Sequence, residues 1–301
     1  MRDSIASLRH KITSAQDLQS VVSSMKAIAS SSIGQYENAV HSLDDYYQTV
    51  QLGLVACLSA SAQTIGLSQP ESQPIIVNRS HNRAPAVGVI VFGSDQGLVG
   101  QFNEVMVEFV VDSLATLPGE KNVWAVGERV QTRLLDTDLT TEESFELPNS
   151  IHTITTLVGK ILTVLEEQRE QGVIDQVYLF HHRPESDSIY QPVRQQLLPL
   201  DDVWQRNLTS IRWPSNNLAQ VMPNQDQTRR GFVREYLFVS LFKACAESLA
   251  SENASRLAAM QRAEKNIDEL QKDLNQIFHR LRQSGIDEEL FDVLSGFEAL
   301  S

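Results

Sequence analysis

The sequence predicts an α/β protein in which two long amphipathic helices, one at each end of the chain, pair as an antiparallel coiled coil and carry a small doubly wound α/β domain between them. Three observations lead there. After Pro223 no proline occurs, and apolar side chains recur by threes and fours over roughly 70 positions, as one stripe of a helix requires. Residues 3–58 show the same spacing. Between these stretches, short apolar runs alternate with helical patterns, the order expected of a mostly parallel sheet.

The totals set the bounds. With 301 residues, 42% hydrophobic and 21% charged, the chain has material for one or two cores and is not of disordered composition. Its net charge of −13, with most of the excess between residues 61 and 225, argues against nucleic acid, whose phosphates need a basic face. No apolar run approaches the roughly 20 residues of a membrane span, and Met1-Arg2-Asp3-Ser4 leads straight into a polar amphipathic pattern. Neither membrane insertion nor a secretory leader is therefore expected. Cys57 and Cys245 each lie in an apolar helical stretch and read as buried, reduced thiols of a cytosolic protein.

In chain order, residues 1–60 form the first helix. Leu8, Ile12, Ala15, Leu18, Val21 or Val22, Met25, Ile28 or Ala29, Ile33, Tyr36, Val40, Leu43, Tyr47, Val50, Leu54 and Leu58 mark its stripe, and Asp3 or Ser4 can cap its start. Its weak point is Ser30-Ser31-Ser32-Ile33-Gly34, a run of poor helix formers that costs about 2 kcal/mol relative to alanine and needs outside contacts to stay helical. Residues 61–85, polar and marked by Pro70, Pro74 and Pro85, read as a linker. The α/β domain spans 86–215. Val87-Gly88-Val89-Ile90-Val91-Phe92 is a fully buried strand feeding the turn Gly93-Ser94-Asp95-Gln96-Gly97. Helices follow at 101–117, 128–135 and 152–170, strands at 123–126 and 173–180, and an extended segment at 189–198, in a Rossmann-like alternation. Residues 222–301 form the second long helix. A helix of this length, roughly 100 Å, exceeds any single compact domain, so its stripe is buried most cheaply against the first helix.

Chemistry is mostly lacking. The glycines after the first strand fall at 93, 97 and 100, which fits neither the dinucleotide fingerprint nor the phosphate-binding P-loop, so 93–100 reads as a tight strand-to-helix connection. His181 and His182 are neighbours on a strand and point to opposite faces, so they cannot hold one metal and read as structural. Ser94 has no nucleophile-elbow context, and the acidic pairs and triplets have no metal-loop spacing. No catalytic, cofactor-binding or metal-ligating residue is assigned, and no cofactor is expected.

At residues 250–260 the second helix carries the pattern A-S-E-x-x-x-R-x-x-A-M, continuing into Leu281-Arg282-Gln283-Ser284-Gly285-Ile286-Asp287-Glu288-Glu289-Leu290 and Ser295-Gly296. With Leu8-Arg9-His10-Lys11-Ile12, Gln16 and Met25-Lys26 near the start, and Ser94-Asp95-Gln96-Gly97-Leu98-Val99-Gly100 in the middle, the chain resembles the gamma subunit of F-type rotary ATP synthases. The match is strong at both ends and looser from 101 to 225. The resemblance implies a central rotor shaft without an active site of its own, coupling ion flow to ATP synthesis or hydrolysis. It implies alpha and beta subunits in a surrounding hexamer, the epsilon subunit and the membrane c-ring as partners, and a place on the cytoplasmic face of the membrane. By position, Met25, Lys26, Arg256, Gln283, Ile286, Glu289 and Leu290 match contacts to the surrounding ring. Met25 also lies on the coil stripe, and Arg256 can instead pair with Glu252 one turn away. Three departures mark a divergent or alternate branch: the serines in place of the family's usual basic residues after the methionine, Gly285 within the helix, and Gln96 and Val99 in the strand-turn. The alternative reading is a stand-alone α/β ligand-binding domain or enzyme that dimerises through a helical hairpin.

Overall fold

The computed structural model describes residues 4–64, 85–185, 189–200 and 224–298, with scattered positions between 204 and 217. Its elements are α1 (Ile5–Thr64), β1 (Val87–Phe92), α2 (Phe102–Ala115), β2 (Lys121–Val126), α3 (Glu128–Leu135), β3 (Thr140–Thr141), α4 (Ile151–Glu170), β4 (Gln176–Arg183), β5 (Gln191–Leu198) and α5 (Gln225–Glu298). The chain divides into two compact units, Met1–Ser31 with Arg256–Ser301, and Ser32–Ser255.

α1 opens on Ser4, whose hydroxyl accepts the Ser7 backbone N–H at 3.2 Å, and it remains helical through the serine run. It continues to Thr64, into the proline-marked stretch, whose residues 65–84 lie outside the described set. α5 opens on Asn224, whose side-chain oxygen accepts from the N–H groups of Asp226 and Gln227 at 2.9 and 3.3 Å. Within each unit the two helices run antiparallel: Gln19 meets Asp268 and Lys26 meets Glu264 in one, while Asp44 meets Lys243 in the other.

The sheet of the second unit has the order β3-β2-β1-β4-β5. β1, β2, β3 and β4 are parallel, and β5 returns antiparallel along β4. This is a doubly wound arrangement with one antiparallel edge strand. Alternation along β1 separates two cores. Val87, Val89 and Val91 face α2 and α3, meeting Met106, Val110, Val130 and Leu134. Ile90 and Phe92 face the other side, where α4 and the 32–64 and 225–255 parts of the long helices contribute Ile154, Leu54, Tyr236 and Leu241. Cys57 and Cys245 are buried, and burial pushes the Cys245 thiol up from its ordinary value.

The expected fold class is thus the observed one, with differences of detail. β4 begins at Gln176 rather than 173 because Gly172, at φ +71°, turns the chain there and leaves Val173 exposed. It runs past 180 because His181 and His182 are buried and continue the pairing with β5. β3, only two residues long, has no readable period.

Candidate functional site

In the unit formed by Met1–Ser31 and Arg256–Ser301, the described seam is thin. Leu8, Ala15, Ala29, Met260 and Leu274 are its buried apolar residues. Polar contacts supplement it: the Gln19 amide donates to Asp268 at 2.7 Å, and Lys26 Nζ lies 2.6 Å from Glu264. Arg9 lies over the ring of Phe278 at 5.6 Å. Several apolar positions of the two helices do not enter this seam. Leu18, Val21 and Ile28 on α1, and Leu270 and Ile277 on α5, are exposed, Ile28 to 66%. Two helices meeting along one line bury a narrow stripe, and this apolar band is wider than the line. Farther along α5, Ile286, Leu290, Phe291, Val293 and Leu294 are exposed, the last four over more than half of their surface. Apolar surface left open on this scale marks a place where something else docks.

The residues singled out from the sequence fall along this unit. Met25 is half-buried, and so is Lys26, whose charge is held by Glu264. Arg256 is half-buried. Gln283, Ile286, Glu289 and Leu290 are exposed on the last turns of α5. Phe291, Val293 and Leu294 belong with them. Their signal is present in the sequence as apolar residues on adjacent positions, more than one stripe can bury.

In the unit Ser32–Ser255, the glycine-marked turn after β1 is structural in its contacts. Ser94 is fully buried; its backbone N–H donates to Asn103 Oδ1 at 3.0 Å, and its hydroxyl accepts from Asn103 Nδ2 at 2.8 Å. Asp95 accepts from the N–H of Glu128 at 2.9 Å, capping α3, and from that of Leu147 at 3.3 Å. No histidine takes part. His181 and His182 point to opposite faces of β4. His182 Nε2 donates to the Phe102 carbonyl at 2.8 Å, and its ring sits between Phe102 and Tyr190. His181 Nε2 donates to Glu247 Oε2 of α5 at 2.8 Å, and Arg183 Nε donates to the same oxygen at 3.0 Å. Burial lowers the pKa of His181. Burial pushes the Glu247 carboxyl up, but the hydrogen bonds and charges of His181 and Arg183 outweigh it and keep the group below the ordinary value. Sequence reasoning missed this trio, since its members lie 66 and 64 positions apart and only the fold joins them. Among the described residues no cluster of three metal-ligating side chains occurs, and no helix is long and apolar enough to cross a membrane.

His182 gives a measurable pH dependence. Burial lowers its pKa from 6.5 to about 4. The unfolded chain then takes a proton that the folded chain refuses, so stability that is full above about pH 6.5 falls as the pH drops toward about 4 and levels off below. The difference from this one group is about 3 kcal/mol. In urea titrations at pH 7 and pH 4.5, the wild type is expected to lose more stability on acidification than His182→Gln, which keeps a donor for the Phe102 carbonyl. Equal losses would show that the buried ring does not govern the acid response.

The ATP synthase family matches residues 4–300, nearly the whole chain. This chain belongs to that family, as a gamma subunit. It is 25% identical to the ATP synthase gamma chain of Polynucleobacter asymbioticus, over 97% of this chain and 98% of that one. It is 22% identical to the ATP synthase gamma chain of Brevibacillus brevis, over 99% of each. Among solved structures, the Euglena gracilis mitochondrial ATP synthase (OSCP/F1/c-ring) contains a chain of the same fold, with a TM-score of 0.61 and 14% identity, over 98% of this chain and 94% of that one. A chain in the central stalk/c-ring structure of the Tetrahymena thermophila mitochondrial enzyme aligns with a TM-score of 0.55 and 21% identity, over 81% of this chain and 99% of that one. The family's role for such a chain is the rotor shaft, and the alternative of a stand-alone ligand-binding domain is not favoured.

Proposed function

We propose that this gamma subunit turns inside a hexamer of alpha and beta subunits on the cytoplasmic face of a membrane, with the epsilon subunit and the c-ring at the foot of its sheet domain. The exposed apolar band on Met1–Ser31 and Arg256–Ser301 carries this reading. A two-helix pair that leaves so many apolar side chains in water is built to be surrounded. Met25, Arg256, Gln283, Ile286, Glu289 and Leu290 are the contacts to the ring. Lys26 belongs with them, but its ammonium is already held by Glu264, so it offers less free charge than the resemblance implies. That fits the serines that follow it and the 22–25% identity to the relatives named above, as expected of a divergent branch. The residues 1–60 and 222–301 serve as the shaft and 86–215 as its base, joined through 61–85.

The test is co-expression with the candidate alpha and beta chains, followed by assay of ATP hydrolysis with and without this chain. The expected result is a complex containing all three chains, whose activity falls steeply when this one is omitted. Full hexamer activity in its absence would defeat the shaft reading. Binding of a nucleotide or small ligand by the isolated chain would favour the rival instead.

A further inference from the structure

A shaft transmits torque only if its sheet domain cannot turn about the helix it holds. Apolar contact is non-directional and resists separation far more than sliding, whereas hydrogen bonds fix a register. Within Ser32–Ser255, several described polar contacts bridge the domain to α5, among them Trp204 Nε1, which donates to the Tyr236 hydroxyl at 2.8 Å. Arg234 pairs with Glu166 of α4 at 3.3 Å, at the surface, where screening by water weakens the pair. Ser255 donates its hydroxyl to the Val99 carbonyl, an uncharged contact. One bridge is both buried and charged: Glu247 receives His181 Nε2 and Arg183 Nε on one oxygen, with the Glu247 side chain 8% exposed and that of His181 1%. The strand that carries both donors is itself held on both edges, by β1 and by β5.

We propose that Glu247 is the positioning residue that keys the shaft helix to the sheet domain against rotation. The inference rests on the rotor reading above. A small turn of α5 carries the carboxylate off its donors and leaves a buried charge unpaired, which the interior penalises heavily. The trio therefore acts as a rotational stop, while the surrounding apolar cluster supplies adhesion.

The experiment compares Glu247→Gln and Arg183→Gln with the wild type in the assembled complex, at matched amounts of complex. Two quantities are read: ATP hydrolysis without a gradient, and ions pumped per ATP hydrolysed. Glutamine fills the glutamate's volume, so no cavity forms. The expected result is hydrolysis close to wild type, with the ions pumped per ATP reduced at least about twofold in both variants, as for loss of a buried charged partner. A role in folding alone would lower the yield of complex and leave that ratio unchanged. An unchanged ratio in both variants overturns the proposal. If Glu247→Gln does not assemble, Arg183→Gln decides alone, because Arg183 is 43% exposed and glutamine keeps an amide donor beside Glu247. A wild-type complex that hydrolyses ATP without pumping ions overturns the rotor reading itself, and that outcome is distinguishable because it precedes any variant.

Discussion

Replacing Gly93 with valine is expected to unfold the α/β domain, or to lower its stability by about 4 kcal/mol or more, out of the 5–15 kcal/mol typical of a domain. A β-carbon at Gly93 would stand 2.2 Å from Val130 Cβ, 2.4 Å from Val130 Cγ1 and 2.8 Å from Asn103 Oδ1. Val130 is wholly buried on α3, and Asn103 is the residue that holds Ser94 in place. Since the clash involves the β-carbon of Val130 itself, trimming that residue to alanine would not relieve it. Gly127 closes the same junction from the other strand. At φ +115°, with any β-carbon only 2.9 Å from the Ser94 carbonyl, it too excludes a side chain. Urea unfolding followed by near-UV circular dichroism measures the effect. Gly34→Ala is the control: nothing lies within 4 Å of its added methyl, and in mid-helix it is expected to stabilise by up to about 1 kcal/mol. A Gly93→Val midpoint equal to wild type would show that α3 can move away at no cost.

These glycines explain why the turn after β1 invites a phosphate reading yet fails the spacing. A phosphate loop needs glycine where backbone amides approach a ligand. Here Gly93 and Gly127 are glycine because two strand-to-helix turns press on each other. Much of the rest was legible. Six apolar residues in a row define β1, and helical spacing over dozens of positions defines α1 and α5, because both signals repeat often enough to outweigh local exceptions. Short-range reasoning missed what depends on distant partners. The apolar signal of β4 stops at Phe180, because histidine does not register as apolar, while the strand itself runs on to Arg183. The burial of His181 is stabilised by Glu247, which the sequence places on another element. The wide apolar band of α1 was legible as hydrophobic but not as outward-facing. Periodicity says that Leu18, Val21 and Ile28 share a side of the helix, not whether α5 covers that side. For the candidate site, position in a family pattern supplied Gln283 and Leu290, whereas Phe291 and Val293 emerge only once exposure is known.

Deleting residues 286–301 is expected to leave the sheet domain as stable as in the full chain and to weaken association with the alpha and beta chains at least about a hundredfold. Among the described residues, Leu274 is the last buried apolar side chain of α5, and Phe278, under Arg9, meets α1 one turn beyond it. Beyond them the described side chains through Ser295 are exposed or half-buried, so residues 286–295 contribute little to the chain's own folding. What it offers a partner is apolar surface: Ile286, Leu290, Phe291, Val293 and Leu294, with Val293 71% exposed. If a surrounding collar covers half of each, the gain is about 3 kcal/mol or more after ordering costs, which corresponds to about a hundredfold in affinity. Such contacts suit a bearing, since apolar surface binds without fixing a rotational angle, in contrast to the directional grip of Glu247 on β4. Two measurements check this: the dissociation constant for alpha and beta chains, and the urea midpoint of the sheet domain followed through Trp124, which lies in its core. Phe291→Ser with Val293→Ser should reproduce much of the loss without shortening the helix. Undiminished affinity on truncation would remove the tip from the contact surface. A fall in the domain's midpoint would show instead that the tail supports the fold, and the separation of bearing from base would have to be abandoned.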